Sequence, residues 1–223
     1  MAVSQRTDVG GQKPIFQRVC GMQLLSLPQE ALGAKTVATF RKHALESSAP
    51  RSLLEPRYQL ITDDFNCARY RTGQAPGHYE SYFQRANHPA QPLAFWVRYT
   101  IFSPTGRPQD AIGELWAVVF NASTGRHVVA KTEVPFDRCT FSNDLFAVRI
   151  ADSELAPGVL VGRAGSSTNS VMWNLGYVGD APPVFDLPLD RYEARFPKAK
   201  ALVGVPMAHV TGTTIRRAES SIA

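Results

Sequence analysis

Glu80, Arg98 and Glu114 are the residues of this chain whose types and spacing offer acid–base or ion-pair chemistry. Each stands two positions from a large aromatic: Tyr82, Trp96 and Trp116 respectively. Two positions is the same-face period of a β-strand, so on each of three strands a charged group and a ring share a face. The opposite faces carry Phe83, Phe95, Val97, Tyr99 and Leu115, among others. Two readings follow. In one, the charged face is solvated and its ion pairs contribute about 0–1 kcal/mol each. In the other it lines a cavity, with Tyr82, Trp96, Trp116 and Trp173 as walls and Glu80, Arg98 and Glu114 as fixed polar contacts. Glu80 then comes within salt-bridge reach of Arg98. The tryptophans on the charged face favour the cavity, a site for an apolar small molecule. A desolvated carboxylic acid at Glu80 or Glu114 would be the candidate proton donor for catalysis. No pattern fixes a reaction, so enzyme activity stays open.

Other chemistries find less support. There is no Gly-x-Ser-x-Gly elbow, and Ser166 and Ser167 read as turn residues. The histidines at 43, 78, 88, 127 and 209 lack the i, i+2 or i, i+4 pairing of a metal site, so no metal and no cofactor is expected. Cys20, Cys67 and Cys139 are odd in number and widely spaced, which points to reduced thiols and, with no apolar leader before Gly21, to a cytoplasmic protein. The net charge of +5 arises mainly before residue 76, where ten Lys/Arg face six Asp/Glu. The rest is almost neutral, which disfavours nucleic acid. No apolar run is long enough for a membrane span.

The elements that must position these residues are strands. From His78 the apolar period is two, which predicts strands near 78–86, 93–102, 111–120, 127–134, 145–150, 159–164, 170–178 and 207–213. Turn-forming groups separate them, including Pro104-Thr105-Gly106, Ser123-Thr124-Gly125 and Pro157-Gly158. Residues 78–178 thus read as a continuous antiparallel meander. The prolines at 182, 183, 188, 197 and 206 predict a crossing segment without a central strand. Eight short strands suit an all-β antiparallel barrel or strongly curved sheet, with a sandwich as the alternative. Residues 1–55 read as a peripheral extension with one amphipathic helix between Ser26 and Ala44. The domain spans 56–213 and a tail spans 214–223.

Several words of the sequence, in order, carry a resemblance. Gly77-His78-Tyr79-Glu80-Ser81-Tyr82-Phe83, Phe95-Trp96-Val97-Arg98-Tyr99-Thr100, Gly113-Glu114-Leu115-Trp116-Ala117, Trp173-Asn174-Leu175 and Val205-Pro206-Met207-Ala208-His209-Val210-Thr211-Gly212 resemble the first barrel of the hydroxyneurosporene synthase/AttH-like family. That resemblance implies a lipocalin-like (calycin) barrel and an isoprenoid or lipid as ligand. It also implies relatives that include carotenoid hydratases and tocopherol-cyclase-like proteins. A second barrel is expected after Thr213, but the sequence continues Ile215-Arg216-Arg217 and ends at Ala223. The expectation is therefore a truncated member, pairing with a second barrel or another chain through an open β edge.

Overall fold

The computed structural model describes residues 15–21 and 66–218, apart from 195 and 198. The helix expected between Ser26 and Ala44 lies outside these residues. The described chain is almost entirely β, as the period-two patterning predicts, and is arranged as two sheets. The first contains β1 (Ile15–Gly21), β2 (His78–Asn87), β3 (Leu93–Ser103), β4 (Ile112–Asn121), β5 (Arg126–Pro135), β11 (Val184–Phe185) and β12 (Lys200–Val203), in the order β11-β12-β1-β2-β3-β4-β5. The second contains β6 (Cys139–Phe141), β7 (Val148–Ile150), β8 (Ser153–Ala156), β9 (Val159–Gly165), β10 (Asn169–Val178) and β13 (His209–Ala218), in the order β13-β10-β9-β8-β7-β6.

Among the described residues neither ladder closes, so the sheets do not form a continuous barrel. The break falls at Pro135, followed by a single 3-10 turn at Phe136–Arg138. Proline has no N–H to extend the ladder, and here the meander leaves one sheet and enters the other. The expected meander from 78 to 178 is thus two antiparallel meanders joined at that turn. Apart from Asn66, which is helical, the α-helix among the described residues is the single turn α1 (Asp190–Glu193).

Turn chemistry explains the hairpins. Gly106, Gly125 and Gly158 have φ of 72°, 64° and 75°, conformations that side chains with a Cβ resist. His88 holds the β2–β3 connection by accepting hydrogen bonds at Nδ1 from the amides of Ala90 and Gln91, at 3.1 and 2.9 Å. β6 and β8 escape a reading by periodicity because three or four residues are too few to establish a period. β12 corrects the reading of 180–206: it lies between β11 and β1, an interior place in the sheet. Its four residues, Lys200–Val203, contain no proline, and the prolines expected to exclude a central strand flank it instead. The pairings of β1 with β2 and with β12 are parallel, so the first sheet is not purely antiparallel.

The core lies between the sheets, where Tyr99, Ile101, Leu115, Ile150, Leu155 and Leu160 are wholly or almost wholly buried. Three polar contacts stitch the layers together. Tyr99 donates its hydroxyl to the Glu154 carbonyl at 3.1 Å, Asn169 donates to the Val129 carbonyl at 2.9 Å, and the Gly165 amide donates to Thr132 Oγ1 at 3.0 Å.

A fourth connection is made by the segment preceding β2. The Ala68 amide donates to the Ser142 carbonyl at 2.7 Å, and Asn143 Nδ2 returns to the carbonyls of Ala68 and Tyr70 at 2.6 and 3.0 Å. The amides of Arg69 and Tyr70 bind Glu80 on β2. This strap therefore joins the loop after β6, in one sheet, to β2 in the other.

Candidate functional site

Strand register decides which of the candidate residues meet. His78, Glu80, Tyr82 and Gln84 on β2 stand opposite Ser103, Ile101, Tyr99 and Val97 on β3, and all eight face the core. Arg98 instead stands opposite Phe83, on the other face, and pairs onward with Trp116 on β4. The expected approach of Glu80 to Arg98 does not occur. Even-numbered residues on β2 share a face with odd-numbered residues on β3, because the connection between the strands shifts the parity. The candidate cluster is split into an inner pair, Glu80 and Tyr82, and an outer group of Trp96, Arg98, Glu114 and Trp116. Trp173 belongs to neither; it lies on the core face of the second sheet, 3% exposed.

Glu80 is fully buried. Its Oε2 accepts from the Arg69 amide at 2.9 Å and the Tyr70 amide at 3.3 Å, and lies 3.1 Å from His78 Nε2. Its Oε1 accepts the Tyr82 hydroxyl at 3.0 Å. Tyr70 extends the cluster by donating to Ser103 Oγ at 3.4 Å and by packing its ring 5.4 Å from His78. A buried carboxylate is tolerated only when its lone pairs are occupied, and here two backbone amides, an imidazole and a phenol occupy them. The sequence signal for this cluster is His78-x-Glu80-x-Tyr82, three hydrogen-bonding side chains on one face of one strand. The strap amides that complete it leave no mark in the sequence.

The outer group is built differently. The Arg98 guanidinium lies 5.3 Å from the Tyr79 ring centre and 5.9 Å from that of Trp96. Phe83 packs 6.3 Å from Trp96, and Trp116 lies directly across from Arg98. Glu114 is engaged by Lys131 at 2.8 Å, and Lys131 also bridges Glu133 and sits 4.6 Å above the Trp116 ring. Burial pulls the Arg98 pKa down, and the charge of Glu114 partly offsets that.

A depression of about 620 Å³ opens at the other end of the core. Leu115 and Thr132 line it from the first sheet, and Ile150, Ser153, Gly162 and Trp173 from the second. It continues past the sheet to Arg163, Met172 and Asn174. Gly162 lets Ser153 and Trp173 pack against its backbone: a Cβ there would lie 2.5 Å from the Ser153 side chain and 2.9 Å from Trp173 Cζ2. The deep wall of the site is the Trp173 ring. Tyr99, in the core beside Trp173, is held protonated far above its usual range, chiefly by burial. Of the seven residues read as ligand contacts, Trp173 alone lines this depression.

Among the described residues no group of His, Cys, Asp and Glu is placed to hold a metal ion, and no helix is long and apolar enough to cross a membrane. Compared with protein-family models, curated proteins and solved structures, the chain finds no match.

Proposed function

We propose that this chain is a lipocalin-like module that holds an apolar small molecule, an isoprenoid or lipid, against Trp173. One observation carries the reading: the depression has a volume in the range of small-molecule sites, and Leu115, Ile150 and Trp173 give it an apolar wall among the polar groups that line the rest. The cysteine usage supports a cytoplasmic setting.

The alternative, an isoprenoid hydratase or cyclase with Glu80 or Glu114 as proton donor, has weaker support. Both oxygens of Glu80 are engaged as acceptors in a closed cage, and Glu114 is paired with Lys131 on the outer face. Neither carboxyl lines the depression. A separate observation favours an added partner. Among the described residues the ten-residue β13 has only β10 as a neighbour, so its other edge suits strand addition by a second chain.

The test is co-elution of all-trans-retinol, a soluble-scale polyene, with the full chain. Binding should be saturable and weakened at least about tenfold by Trp173→Ala, which removes the deep wall of the site. No co-elution, or equal binding to the variant, would refute the reading.

A further inference from the structure

We propose that the outer face of β2–β4 is a receptor for a carboxylate carried on a flat apolar body, with Arg98 as its anchor. Arg98 makes no hydrogen bond and no ion pair with any described residue, and its Nε is sealed from solvent. Its nearest acid, Glu114, is already taken by Lys131. Two further donors lie beside it on the same face: Thr100, two residues along β3, and Ser81, directly opposite Thr100 on β2. Both are fully buried, and neither hydroxyl has a partner among the described residues.

Buried donors left unpaired cost about 1–3 kcal/mol each, so three side by side mark a place where an acceptor belongs. All three are N–H or O–H groups. A carboxylate has two oxygens with lone pairs to accept them and a charge to match the guanidinium, whose fork suits a planar anion. The surroundings choose the rest of the ligand. The Tyr79 and Trp96 rings flank the Arg98 head, Phe83 and Trp116 stand across from Arg98 on the neighbouring strands, and together they offer flat apolar walls. A small hydrated anion would leave those walls unused. This site lies on the opposite side of the first sheet from the depression at Trp173, and it does not depend on that reading.

The experiment uses the full chain with benzoate as the probe and inorganic phosphate as the comparison. Calorimetry should show saturable benzoate binding, weakened about tenfold by Arg98→Lys, which keeps the charge but loses the fork, and unchanged by Arg107→Lys in an exposed turn. Phosphate should bind about tenfold more weakly than benzoate, since it cannot use the rings. A second readout needs no variant: benzoate should slow phenylglyoxal modification of Arg98, mapped by peptide mass, without slowing that of Arg107. Benzoate affinity should be the same with and without retinol. Absent benzoate binding, equal affinity in Arg98→Lys, or no protection of Arg98 overturns the proposal. Phosphate binding as tightly as benzoate overturns the apolar body, and competition by retinol overturns a site separate from the depression.

Discussion

The two faces of the first sheet treat charge in opposite ways. On the inner face Glu80 is fully buried, and both of its oxygens are engaged, by two amides, an imidazole and a phenol. On the outer face Arg98 is only half-buried, is walled by rings, and has no acceptor among the described residues. The inner charge is a structural commitment, because surrounding groups are positioned to need it. The outer charge is available. Deep burial of an ionisable group thus marks a scaffold role here, while the chemically unspent group sits nearer the surface.

That contrast is open to attack, beginning with its strongest consequence. Glu80→Gln puts a donor where only acceptors fit and leaves His78 and the strap amides mispaired. It should destabilise the protein by about 3–5 kcal/mol in urea unfolding. Tyr82→Phe removes one donor from the carboxylate and should lose about 1.5–3 kcal/mol, still well above an exposed polar substitution. Arg98→Met keeps an apolar stem between the rings and strands no partner, so its loss should stay under about 1 kcal/mol, close to that of Arg107→Met. A loss at Arg98 as large as that at Glu80 would erase the distinction between the faces. The finest test is the double variant Glu80→Gln/Arg98→Met. The two groups share no partner, so their losses should add to within about 0.5 kcal/mol, and a larger coupling would mean that they communicate through the sheet.

Much of this was legible before any coordinates. The strands carrying Glu80, Arg98 and Glu114 follow from alternation, and the hairpins follow from glycines that must adopt positive φ at 106, 125 and 158. The face on which each strand displays its side chains was not legible. Alternation sorts residues within a strand, but relating one strand to the next needs the register, and a shift of one position moves a whole set of side chains across the sheet. The assembly of Glu80 and Arg98 into one site rested on that unknown parity, and the register separated them. The same limit hid the depression at Trp173. Its walls come from segments far apart in sequence, and Trp173 packs closely over Gly162 only because that residue has no side chain, which leaves no positive signal.

The strap before β2 also bears on how the molecule comes apart. Its backbone is fastened to Ser142 and Asn143 at one end of the second sheet and to the carboxylate of Glu80 in the first. Neither sheet can loosen at that end without releasing the other, which couples them into one cooperative unit. The Arg69 and Tyr70 amides should therefore exchange with deuterium about as slowly as those of β3 in the core, although they belong to no strand.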